Sequence, residues 1–289
     1  MTTAAASLSP PSRADDFGVA QTIALDGPID WKGFVHAARA LVEAGTPPGQ
    51  VRWTDGTQPQ SGGLFDEAPV MPARALPAAH ALSLPASFVD RAKTALLHAD
   101  PLRFDLIYRM VWRLNRDRNL VHDLLDPDRL RLDTLVKAVR REEHKMHAFV
   151  RFRKVAPGRV DGAADAPSGG NAQTASEPAV RHVAWFEPDH HVLEAVASFF
   201  VRRFAAIEWA ILTPRICVAW DRKKLTFGPG ADPRDAPAAD ADEALWLAYY
   251  GSIFNPARVK VDAMKKEMPR RYWKNLPEAQ LIAPLLAEA

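Results

Sequence analysis

"AFVRFRKV", residues Ala148–Val155, is the stretch on which the fold turns. Upstream of it, Leu132, Leu135, Val136, Val139 and Met146 recur at helical spacing in a segment from about Asp128 to His147. Within it the period drops to two, with Val150 and Phe152 on one side and Arg151 and Arg153 on the other. That alternation is the mark of a strand with one buried face.

Further short strands are expected downstream at "RHVAWFE", "WAILTP", "ICVAWDR" and "KLTFG", the last two joined by a turn at Arg222-Lys223-Lys224. One amphipathic helix, "HHVLEAVASFFVRRF", interrupts them. Between the first two strands lies a Gly- and Ala-rich polar segment at about 157–180, expected to be a flexible insertion in a hairpin. From Glu243 onward the chain reads helical, punctuated by Pro256, Pro269 and Pro277.

Toward the N-terminus, "TIALDG" and "QVRWTDG" read as strands around a helix, "DWKGFVHAARALVEAG", with Asp30 as N-cap and Gly45 past its end. Residues 64–84, rich in proline and alanine, look like an extended connector. "SFVDRAKTALLHA" is a helix, and Asp100 and Pro101 open another that runs through Leu114. Runs of helices separated from runs of strands argue for an α+β fold. The expected architecture is an antiparallel β-meander with one inserted helix, packed with N-terminal, central and C-terminal helices. It forms a single domain over 22–289 behind a disordered tail at 1–21.

The chain has 289 residues and a net charge of +2, so any affinity for polyanions must come from local clustering. Its single cysteine, Cys217, excludes an intramolecular disulfide, a four-cysteine zinc site and an iron–sulfur cluster built from this chain alone. No apolar run approaches membrane-spanning length, and the leader has no secretory pattern, so a cytoplasmic protein is expected. Glycine-rich nucleotide loops, a nucleophile elbow and paired-cysteine metal patterns are missing from the sequence, and no cofactor or metal is predicted.

Three clusters carry chemistry. In "NPARVKVDAMKKEMPRRYWKNLPEA", Arg258, Lys260, Lys265, Lys266, Arg270, Arg271 and Lys274 face only three acids, and Tyr272 and Trp273 sit among them. A solvated helix face is the ordinary explanation of such a run, but ordinary surfaces intersperse both signs. The alternative is nucleic-acid contact, cations on phosphates and rings on bases, with Arg151, Arg153, Arg202 and Arg203 extending the basic surface. In "RREEHKMH", Glu143 and His147 are four apart and His144 and His147 three apart, which suits proton transfer or a metal but lacks a third ligand. In "FEPDHHVLEAV", Glu187, Asp189, His190 and His191 stand at a helix start that Asp189 would cap. Were the last two clusters to meet, they would form an acid–base centre.

"HKMHAFVRFR", "VAWFEPDHHVLEAVASFFVRRF", "LTFGPGA" and "YYGSIFNPARVKVDAMKKEMPRRYWKNLPEA" resemble the bacterial domain of unknown function described as a probable DNA metabolism protein. The resemblance runs from about Ile23 to Ala289. In that family the domain stands beside a radical-SAM protein thought to modify or repair DNA, or is fused ahead of UdgX, a uracil-DNA-binding member of the uracil-DNA glycosylase superfamily. The resemblance implies a role in DNA metabolism without assigning catalytic residues. The leading expectation is a DNA-binding accessory protein of a repair pathway. The alternatives are an enzyme on damaged nucleotides or DNA using Glu143, His144, His147, Glu187, Asp189 or His190, and a docking module for the radical-SAM or glycosylase-like partner. Uracil excision is not expected of this chain, which ends where fused members would continue into the glycosylase-like domain.

Overall fold

The computed structural model describes residues 21–56, 70–80, 82–155, 181–236, 247 and 267–281. The tail up to residue 20, the insertion at about 157–180, and Arg258, Lys260, Lys265 and Lys266 lie outside the described residues. The fold is α+β, and the chain divides into two compact units, Met1–Val139 and Arg140–Ala289.

In the first unit, β1 (Gln21–Ala24) lies between β2 (Val51–Thr54) and β3 (Val70–Pro72), and both pairings are parallel. A parallel pair needs a crossover, supplied here by α1 (Trp31–Glu43) between β1 and β2. Asp30 caps α1 by accepting the Gly33 N–H at 2.8 Å, which satisfies one of the helix's orphan donors. Gly45, at φ +72°, turns the chain out past the helix end, a conformation that carries no steric penalty for glycine. The strand β3 falls inside the expected connector. Its three residues, of which only Met71 turns toward the core, are too few to show alternation.

Helices α2 (Ala86–Leu96), α3 (Arg103–Leu114) and the start of α4 (Pro127–Phe149) complete this unit. Helix α3 begins two residues later than Pro101 suggests, and Asp100 closes the preceding turn by accepting the Leu102 N–H at 2.9 Å. The core gathers Ile23, Phe34, Leu41, Trp53, Phe104, Ile107 and Tyr108. Arg103 is buried with it, donating to the carbonyls of Leu96, Asp100 and Pro28 and to the Asp55 carboxylate at 2.6 Å. A buried guanidinium is tolerated because each of its three nitrogens finds an acceptor.

The second unit holds a five-stranded sheet in chain order: β4 (Arg153–Val155), β5 (Arg181–Trp185), β6 (Trp209–Leu212), β7 (Ile216–Trp220) and β8 (Leu225–Pro229). The expectation of a wholly antiparallel meander needs correction, because β5 and β6 are parallel. The inserted helix, α5 (Leu193–Arg203), is the crossover that returns the chain to the same sheet end before β6 starts. The other three pairings are antiparallel. The β7–β8 turn is where the sequence puts it. Asp221 accepts the Lys223 and Lys224 N–H groups at 2.8 and 2.6 Å, and Arg222 takes φ +71°.

The change of period also moves. Helix α4 runs to Phe149, and the Val150 N–H still bonds the Met146 carbonyl at 3.2 Å, so the strand begins only at Arg153. Phe152 packs against Phe200, Phe204 and Trp209, and this ring cluster anchors the sheet to α5. Among the described residues, no helix is long and apolar enough to cross a membrane.

Candidate functional site

The second unit builds its site around a carboxylate that the sequence reading passes over. Glu142 lies on the stripe Leu135, Val139, Glu142, Met146, whose spacing of four, three and four residues marks one helix face. That face is buried, and Glu142 is only 3% exposed. A buried carboxylate needs donors, and Glu142 has three. Its Oε1 accepts the Asp189 N–H at 3.1 Å, and its Oε2 accepts Arg271 Nη2 at 2.7 Å and the Tyr272 hydroxyl at 2.9 Å.

These three contacts join α4, the loop after β5, and the 3-10 turn Arg270–Asn275. Arg271 extends the network, since its Nη1 pairs with the Asp189 carboxylate and its Nη2 also donates to the Tyr272 oxygen. Tyr272 is 2% exposed and lies between Phe149 and Phe186, with ring centroids at 5.5 and 5.3 Å. Burial, together with the neighbouring Glu142 charge, pushes its hydroxyl well above the ordinary phenol range. Tyr272 is therefore a core residue, and the expectation that it stacks on a base is corrected: its ring is packed out of solvent and its hydroxyl is engaged.

Outside this network opens a cleft of about 480 Å³, lined by Glu187, Pro188, Asp189, Arg215, Arg270, Arg271, Tyr272 and Lys274. Four cations face two carboxylates, and each carboxylate is engaged. Lys274 and the Trp185 indole N–H (3.0 Å) donate to Glu187, and this hydrogen bonding, Lys274 first, holds its carboxyl below the ordinary range. Asp189 pairs with Arg271, and its carbonyl takes Arg215 Nη1 at 3.0 Å. Among the described residues, Arg270 has no carboxylate partner. It is exposed, with its guanidinium 5.6 Å from the Trp273 ring centroid. A second cleft of about 390 Å³ adjoins through the shared Lys274, lined also by Arg153, Trp273, Leu276, Pro277, Ala279 and Gln280.

Of the expected phosphate-binding cations, Arg270, Arg271 and Lys274 line the first cleft, and Arg153 and Lys274 line the second. Arg151 lines neither. It pairs with the buried Glu278 at 2.9 Å and donates to the Ala148 carbonyl, closing the end of α4. Arg215, a functional candidate the sequence reading missed, sits between β6 and β7 with no charge run to flag it.

The His/carboxylate candidates do not all line the cleft. Glu187 and Asp189 line the cleft, whereas Glu143, His144, His147 and His190 do not. His147 lies against Phe199 on α5, with ring centroids 4.0 Å apart, and its buried Nε2 has no hydrogen-bond partner among the described residues. Burial, with the nearby His144 and Arg202 charges, lowers its pKa. Burial, then Arg215, lowers that of His190, and burial raises that of Glu143. Asp189 does not cap α5, because the helix begins only at Leu193 with Val192 as an N-cap without a side-chain bond, and the Asp189 carboxylate pairs with Arg271 instead. Among the described residues, no group of three or more His, Cys, Asp or Glu side chains could hold a metal ion.

The family model described as a domain of unknown function, DUF4130, matches residues 101–278. That span is narrower than the Ile23–Ala289 resemblance and leaves out the N-terminal sheet. No curated protein and no solved structure matches the chain.

Proposed function

The chain belongs to the DUF4130 family, and on that premise we propose that it is a DNA-binding accessory protein of DNA metabolism that takes backbone phosphates into the Arg215–Arg270–Arg271–Lys274 cleft. The observation that carries this reading is the convergence of four cations on one concave surface, where both carboxylates are already held by protein donors. Such a surface presents net positive charge and unspent guanidinium N–H groups, the combination that recognises phosphate oxygens. The probable-DNA-metabolism resemblance supplies DNA as the polyanion, and a radical-SAM or glycosylase-superfamily protein as the partner served.

Charge neutralisation sets the scale. A cleft engaging two to four phosphates gives a slope of log affinity against log salt of about −2 to −4. Fluorescence anisotropy with labelled single- and double-stranded DNA across a salt series reads this directly. Arg270→Ala should weaken binding to both and flatten the slope by about 1. No binding to either DNA at low salt removes the reading.

A further inference from the structure

We infer that the two clefts form one composite site for single-stranded nucleic acid, with the backbone phosphate in the first and an unpaired base in the second, against Trp273. This rests on the phosphate-binding reading above and names what the strand must look like. The two clefts share Lys274, and side chains of the same Arg270–Asn275 turn line both, so one ligand can reach from one to the other along that turn. Their linings differ in kind. The first is cationic, with Arg215, Arg270, Arg271 and Lys274. The second adds an indole and the apolar side chains of Leu276, Pro277 and Ala279 to Arg153 and Lys274.

Phosphate alone has no use for the second lining, and an apolar ligand has no use for the first. A nucleotide within a strand carries both chemistries side by side. The Trp273 ring is held by its indole N–H, which donates to the Met268 carbonyl at 2.9 Å. A ring held in this way loses little freedom when a base stacks on it. In a duplex the base is already stacked and paired, so it must be flipped before it reaches Trp273.

The test uses the full chain and three labelled strands of about ten nucleotides, a length within the usual single-strand site size. They are oligo(dT), oligo(U), and an abasic strand with the same phosphates and no bases. The expected result is that oligo(dT), oligo(U) or both bind roughly 5- to 150-fold more tightly than the abasic strand, the range that one stacked base supports. Trp273→Ala should erase the difference between base-bearing and abasic strands, with Trp273→Phe restoring part of it. Equal binding of all three strands by the wild-type chain overturns this inference and leaves the phosphate grip standing. No binding to any of them also overturns this inference, and the phosphate grip falls with it if duplex DNA at low salt fails to bind as well.

Discussion

Glu142→Leu is the perturbation that most directly tests how the site is assembled. Leucine nearly preserves the volume of a side chain that is 3% exposed, so little of the effect comes from a cavity. The substitution strands three donors of unequal cost. Arg271 keeps Asp189, and its side chain is 45% exposed to water, so its loss is small. The Tyr272 hydroxyl is buried and the Asp189 N–H is part-buried; each buried donor left without an acceptor costs about 1–3 kcal/mol. The expected destabilisation is about 3 kcal/mol in total. Tyr272→Phe removes only the hydroxyl and leaves Glu142 with its other two donors, so about 1 kcal/mol is expected. In the double variant the hydroxyl contribution is counted once, giving a coupling of about 1 kcal/mol between the two sites. Urea unfolding of the full chain, followed by near-ultraviolet circular dichroism, measures all three variants, with the m-value checking that the denatured state is unchanged. A loss below about 1 kcal/mol for Glu142→Leu, or strict additivity with Tyr272→Phe, would refute the hub.

Three further outcomes are expected. Asp189→Asn deletes a carboxylate from the cleft and releases Arg271, so DNA binding should tighten several-fold with a steeper salt slope, read by anisotropy. Lys274→Met should return the Glu187 carboxyl upward toward its ordinary 4.5, followed by carboxyl-carbon NMR, because Lys274 is the main group depressing it. Burial pushes the Asp105 carboxyl from its ordinary 3.8 up to about 6, so the folded state holds its proton more tightly than the unfolded chain. That contribution is fully present below about pH 4 and is lost as pH rises through about 6. Asp105→Asn should therefore gain on the order of 2–3 kcal/mol at neutral pH and show a flatter stability profile between those limits, measured by denaturation across pH.

Much of the site's raw material was legible in one dimension. The cation-rich run around Arg270, Arg271 and Lys274, and the acids Glu187 and Asp189, stand out in the chain, and all five line the same cleft. Their use was not legible. Tyr272 reads as an aromatic among cations, yet it is core, because Phe149 and Phe186 come from distant segments to enclose it. Glu142 could have been suspected, since it interrupts an apolar stripe. Glu143 drew attention instead, because its four-residue spacing from His147 is the local pattern of a proton-transfer pair.

What the sequence determined by itself is the local structure. Asp30 as a cap, the turn at Asp221–Lys224, the helical spacing of α4 and the short strands of the second unit depend on contacts within a few residues, where spacing is geometry. Only the tertiary structure decided that β5 and β6 run parallel, that Val70–Pro72 form β3, and that Arg271 serves Glu142 and Asp189 before any ligand. Each of these joins segments tens of residues or more apart. Which donor meets which acceptor is set there by how the whole unit buries its apolar surface, and no local pattern records it.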